Sequence, residues 1–254
     1  MTIFDTAPPK GTVRDWLDSQ AEVGGAAIAY KFTDGTAPLS WCDMRDRAHN
    51  MARYLTELGL TKGESLAVMM PNGKPALEAL FASLYGGFRV TMINLAAGND
   101  AIRYALEHSE ARYAFVGKAQ QDQFSETRSN LVAALPDIPS ETRLAQLHSL
   151  DAGDDALLMY TSGTTGRPKG VVHSHSSLLA GGWTTATAHA LTPADCGYCV
   201  LPICHINGLC VSVMGSLISQ SQLLVAPKFS ASRFWSDIDT VSYNHLTLPT
   251  TYSR

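Results

Sequence analysis

Apolar and polar positions follow two rhythms along the chain. Compact apolar runs at Ser65–Met70, Phe88–Ile93, Tyr113–Val116 and Leu157–Thr161 predict buried strands. Between them, apolar residues recur at helical spacing. Met44, Ala48, Met51, Leu55 and Leu58 form one face of a predicted helix, opened by Ser40 with Asp43 at capping-box spacing and closed near Gly59. Thr12 and Asp15 share that spacing and predict a short helix through Leu17. Ala26–Phe32 predicts a strand ending in the Asp34-Gly35 turn, and Lys74–Tyr85 and Ala101–Glu107 predict helices. Gln120–Ser140 is more polar and predicts a helix with a loop. Val171–His173 predicts a short strand and Ser176 the start of a helix. Tyr198–Leu201 and Leu223–Ala226 predict strands with a helix between them. Phe229–Thr240 predicts an amphipathic helix with Phe234, Trp235 and Ile238 on one face. Regular strand–helix alternation indicates an α/β fold with mostly parallel sheets flanked by helices. Thr192-Pro193-Ala194-Asp195 divides the chain into an expected first α/β subdomain (1–192), the start of a second (193–240) and a tail (241–254).

Composition narrows the classes. Of 254 residues, 45% are hydrophobic and 17% charged, which fits a folded, well-buried protein. The net charge is −4 and no basic block stands out, so no nucleic-acid partner is expected. Met1–Lys10 has no apolar run behind a basic patch, so no secretory signal is expected. The apolar stretch Val200–Ser219 is interrupted by Pro202, His205, Asn207 and Gly208, which argues against a membrane span. Five cysteines, an odd number, point to a reduced, cytoplasmic setting. Cys196 and Cys199 have C-x2-C spacing, but Cys204 and Cys210 are too far apart to complete a zinc ribbon. Buried thiols acting as small hydrophobes are the expectation. His173 and His175 lack a third metal partner and are expected to flank the adjoining loop.

That loop carries the strongest chemical signal. Leu158–Gly170 reads LMYTSGTTGRPKG: an apolar strand runs into Thr161, Ser162, Gly163, Thr164, Thr165, Gly166 and Lys169. Glycines let the backbone approach an anion, exposed N–H groups and hydroxyls donate to phosphate oxygens, and Lys169 adds a mobile charge. A surface turn between two strands also collects such residues. Four hydroxyls, two glycines and a lysine in nine consecutive positions favour the phosphate cradle. It is not a Walker loop, because the spacing differs and a Val-Val strand follows instead of a helix.

The segment YTSGTTGRPKG resembles the phosphate-binding signature of the adenylate-forming (AMP-binding) superfamily, which includes acyl-CoA synthetases, luciferases and peptide-synthetase adenylation domains. Leu39-Ser40-Trp41, Gly63–Val68 and Met70-Pro71-Asn72 are similar to the N-terminal core of that family. Leu201-Pro202-Ile203-Cys204-His205-Ile206-Asn207-Gly208 is similar to its LP-x-x-H-x-x-G segment, which borders the acyl pocket. The resemblance runs from about residue 10 to about residue 240. It implies the N-terminal part of the family's large domain and an acid–thiol ligase, an acyl-CoA synthetase. A small-molecule carboxylic acid, fatty or related, attacks the α-phosphate of ATP, pyrophosphate leaves, and coenzyme A takes the acyl group. On this resemblance, Thr161–Lys169 hold the β- and γ-phosphates, Thr164 or Thr165 lies near Mg²⁺, and His205 lies beside the carboxylate and α-phosphate.

Family motifs for the Mg²⁺-binding glutamate, the ribose-binding aspartate and the catalytic lysine are not found in these 254 residues. The resemblance therefore implies an N-terminal fragment with little turnover of its own. Val241–Arg254 fits the family pattern poorly and is expected to be non-native. Two other readings remain open: an adenylation domain that loads a carrier protein, and a non-catalytic nucleotide-binding fragment.

Overall fold

The computed structural model describes residues 7–127, 133–135, 145–161 and 168–239. The chain begins with helix α1 (Val13–Gly24), strand β1 (Ile28–Phe32), the short β2 (Leu39–Ser40) and helix α2 (Trp41–Glu57). Both helices start at capping boxes. The Thr12 N–H donates to Asp15 Oδ2 at 2.7 Å, and the Asp43 N–H donates to Ser40 Oγ at 3.0 Å. Helix α1 runs past Leu17, where the sequence reading ends it. Its apolar face continues to the buried Ala21, and the buried Gln20 donates to the Leu217 carbonyl at 2.8 Å.

Next come β3 (Ser65–Met69), α3 (Lys74–Gly86), β4 (Arg89–Met92), α4 (Asn99–His108), β5 (Ala111–Val116), α5 (Gln121–Glu126) and β6 (Ala133–Leu135). A hairpin of β7 (Asp155–Thr161) and β8 (Lys169–Ser174) leads into α6 (His175–Ala188) and β9 (Cys196–Cys199). The six-stranded sheet has the order β6-β5-β3-β4-β7-β8. Its first five strands are parallel, with Val68 opposite Met92 and Val90 opposite Leu157, and β8 closes the edge antiparallel to β7.

After β9 the chain forms a π-helix over Asn207–Met214, then α7 (Gly215–Ser219), β10 (Gln222–Val225) and α8 (Phe234–Asp239). The sequence reading expects an ordinary helix before β10; the wider π turn comes first. Gly182 of α6 lets this element pack closely, since a Cβ there would lie 2.5 Å from the Met214 carbonyl oxygen. A second sheet has the order β2-β1-β10-β9, in which Tyr30 pairs with Leu223 and Leu223 with Gly197. It thus takes strands from both sides of the Thr192–Asp195 turn.

One core cluster joins the two sheets through α2 and α3. Helix α3 is buried on all sides from Ala79 to Gly86, as expected of a helix packed between layers. Tyr30, Trp41 and Phe81 meet there, with Tyr30 and Trp41 edge to face at 5.8 Å. Helix α8 corrects one expectation. Phe234 and Ile238 pack on Tyr198, Val200 and Leu224, but Trp235 is 72% exposed, because it lies a hundred degrees around the helix from Phe234.

Candidate functional site

The parallel strands β4 and β7 end side by side, and the segment beyond β9 folds across from them. A pocket of about 900 Å³ opens there, outside the carboxyl ends of the parallel strands, where α/β sheets bind ligands. Met92, Ile93 and Asn94 form its wall at β4, and Met159, Tyr160 and Thr161 at β7. Ala101, Ile102 and Ala105 of α4 line one side, and Cys204, His205, Ile206 and Asn207 face them. Most of the wall is apolar, with polar groups at few points, as in small-molecule sites generally.

Thr161 and Lys169 are opposite partners at the mouth of the β7–β8 hairpin, and Thr161 Oγ1 donates to the Lys169 carbonyl at 3.4 Å. Both residues are exposed. Lys169 makes no ion pair among the described residues. Ser162, Gly163, Thr164, Thr165 and Gly166 lie outside the described residues, and so does the expected Mg²⁺ contact through Thr164 or Thr165. The loop connects two antiparallel strands, which separates it from the strand-to-helix geometry of a Walker loop.

His205 is exposed to the pocket at the start of a helical segment. Its N–H donates to the Pro202 carbonyl at 3.0 Å, and the Leu209 N–H donates to the His205 carbonyl at 3.0 Å. Gly208 allows the chain to pass close beneath the Leu201 and Pro202 carbonyls. The structure therefore brings Thr161 and His205, singled out from separate segments, onto one pocket.

His173 and His175 part company. His173 lies on β8 and lines the pocket, a role the sequence reading missed. Its strand position two residues from Val171, another lining residue, is the signal that identifies it. His175 is fully buried at the start of α6, where its Nδ1 accepts from the Val13 N–H at 3.3 Å. Burial pushes its pKa down to about 4, so the ring is neutral.

Tyr160 and Cys204 on the wall stay protonated. Burial, then Tyr104, pushes the Tyr160 hydroxyl up to about 12, and it pairs with His108 Nδ1 at 2.9 Å. Burial pushes the Cys204 thiol up to about 11, so it offers no thiolate at neutral pH. Cys196 and Cys199 sit on β9 in separate apolar clusters, on opposite faces of the strand, so they cannot share an ion. Among the described residues, no group of three or more His, Cys, Asp or Glu could hold a metal ion, and no helix is long and apolar enough to cross a membrane.

Comparison with known proteins gives the family and the fold. The profile of the "AMP-binding enzyme" family matches residues 17–254. A sulfoacetate–CoA ligase of Cupriavidus necator is 33% identical over 75% of this chain and 40% of its own length. A 2-succinylbenzoate–CoA ligase of a Geobacillus species is 28% identical over 87% of this chain and 44% of its own length. The chain thus spans less than half the length of the curated relatives it matches. The crystal structure of the N-terminal domain of FACL13 from Mycobacterium tuberculosis superposes with a TM-score of 0.83, covering 94% of this chain and 62% of that domain at 24% identity, a likeness of fold.

Proposed function

The chain belongs to the AMP-binding enzyme family, and from that premise we propose that it is part of an AMP-forming acid–CoA ligase acting on a small carboxylic acid with an apolar tail. One observation carries the reading: the foot of the phosphate-loop hairpin and His205 share a single, mostly apolar pocket.

In this reading ATP binds with its β- and γ-phosphates in the loop from Thr161 to Lys169. The residues present suit it. Thr161 is exposed at the pocket, and the exposed Lys169 ammonium stands without a carboxylate partner among the described residues. Hydroxyl oxygens of Thr164 or Thr165 are hard ligands of the kind Mg²⁺ takes, and the ion supplies neutralisation of phosphate charge. The substrate carboxylate oxygen bonds to the α-phosphorus as the bond to pyrophosphate breaks. The coenzyme A sulfur then bonds to the acyl carbon as the bond to AMP breaks. His205 stands beside the carboxylate and α-phosphate, offering an imidazole N–H. Positioning and charge neutralisation supply most of the rate in such transfers.

Met92, Ile93, Ala101, Ile102 and Ala105 support a hydrocarbon tail, as in a fatty or related acid. The relatives named for sulfoacetate and 2-succinylbenzoate leave the acid to be found by assay. An odd number of cysteines, three of them buried, supports a cytoplasmic setting.

The test is carboxylate-dependent ATP–pyrophosphate exchange across short-chain, aromatic and long-chain acids. It is run on the 254-residue chain and on the whole protein encoded at its locus, with mass spectrometry of the product in the presence of coenzyme A. We expect exchange and a CoA thioester from the whole protein and little exchange from the chain alone. Exchange that yields an acylated carrier protein and no thioester of coenzyme A would support a carrier-loading domain instead. No exchange by the whole protein with any acid would overturn the proposal.

A further inference from the structure

The segment Leu201–His205 is neither strand nor helix, and with the helical residues that follow it, Ile206 and Asn207, it supplies four of the residues that line the pocket. Among the described residues, one side chain from the other sheet's loops holds its start, beside a longer contact of the Cys199 thiol with the Leu201 carbonyl at 3.6 Å. Asn72 follows β3 across Met70 and Pro71 and is only 5% exposed. Its Nδ2 donates to the Leu201 carbonyl at 2.8 Å, and its Oδ1 accepts from the Ile203 N–H at 2.9 Å. The amide thus does what a neighbouring strand's peptide group would do, satisfying an acceptor and a donor two residues apart. A flipped amide would set oxygen against oxygen and N–H against N–H, so one orientation is stable. The next backbone link is the His205 N–H to the Pro202 carbonyl, so the chain from Leu201 to His205 is tied at successive points. Asn72 does not line the pocket.

We propose that Asn72 is a positioning residue that orients His205 toward the reacting carboxylate by clamping the backbone of Leu201 and Ile203. This rests on the role given to His205 above, but the clamp can be tested without turnover. Asn72→Ala removes both bonds and frees the segment. Asn72→Asp keeps the shape, but its ionised carboxylate faces the Leu201 carbonyl and repels it. Once protonated, that carboxyl can donate to Leu201 and accept from Ile203, restoring the clamp.

Imidazole ¹H–¹⁵N spectra of the histidine-labelled chain read this directly, with the His205 signal assigned through His205→Gln. The expected result is a displaced His205 signal in Asn72→Ala, and in Asn72→Asp at neutral pH, with the His49 and His148 signals unmoved. Acidification should return the Asn72→Asp signal to that of the unsubstituted protein at the same pH. A purely structural contact would lower the melting temperature without this return. A His205 signal unmoved in either folded variant overturns the proposal. So does an Asn72→Asp variant that regains its fold on acidification but not the His205 signal. In the whole enzyme, kcat for exchange should fall by on the order of tenfold to a hundredfold with the KM for ATP unchanged, the cost of misplacing a group near the reacting atoms. Absent exchange with a displaced His205 signal would count against the proposed activity and leave the clamp standing.

Discussion

Gly208 lies so close beneath Pro202 that a Cβ on it would stand 2.4 Å from the Pro202 carbonyl oxygen. That oxygen also accepts from the His205 N–H, so the contact sits at the hinge of the pocket wall. Gly208→Ala forces backbone apart and should destabilise the protein by about 1–3 kcal/mol, the usual cost of overpacking. Thermal melting checks the stability loss. Calorimetric titration with a bound acid should show weaker binding than in the unsubstituted protein, because the wall carrying His205 moves.

Lys169 is exposed and its side chain supports no described contact, so its loss should leave the fold intact. Lys169→Ala should weaken ATP binding on the order of tenfold, the loss of roughly one charge-assisted hydrogen bond. An unchanged melting temperature with a raised Kd for ATP is the expected pair of results. An unchanged Kd would remove Lys169 from the phosphate site.

Ala101 is half-buried on the pocket side of α4, so a larger side chain there fills the cavity and spares the core. Ala101→Phe should shift preference toward shorter acids. The ratio of kcat/KM for a long acid over a short one should fall by roughly 10-fold or more, the scale on which apolar pockets discriminate. Competition between two acids in one assay measures that ratio.

The neutral ring of His175 sets an acid limit on stability. Its folded pKa, about 4, lies below the roughly 6.5 of an unfolded histidine, so the unfolded chain binds the extra proton first as pH falls. The stabilisation is complete above about pH 6.5 and is lost as pH falls toward 4, amounting to about 3 kcal/mol at most. Chemical denaturation between pH 7 and pH 4.5 should give a steep decline in the unsubstituted protein. His175→Gln, which cannot titrate there, should give a shallower one.

Features set by neighbours in the chain were legible before the structure. The Thr12–Asp15 and Ser40–Asp43 boxes and the apolar face of α2 all depend on residues a few positions apart. His205 and Thr161 were legible as chemistry, but their meeting on one pocket depends on how β7 and the segment after β9 come together. The separate fates of His173 and His175 turn on Ser174 between them, which caps α6 by accepting from the Ser177 N–H at 3.2 Å, whereas the sequence reading starts that helix at Ser176. Trp235 shares the aromatic run with Phe234, but only the packing of Phe234 and Ile238 on Tyr198 and Leu224 fixes which face of α8 turns inward and leaves Trp235 outside. The bonds of Asn72 reach 129 and 131 residues along the chain, beyond any local pattern. The π turn after His205 follows from tertiary packing against α6 and has no residue signature of its own.

The pairing of β1 with β10 has a consequence for how the molecule is made. Tyr30 leaves the ribosome long before Leu223, its partner. At ~5–20 residues per second, a gap of roughly 190 residues leaves β1 waiting on the order of ten seconds or more. During that interval its apolar edge is open to other nascent chains. The yield of folded protein in a cell should therefore depend on translation speed and on holding factors that cover this early strand.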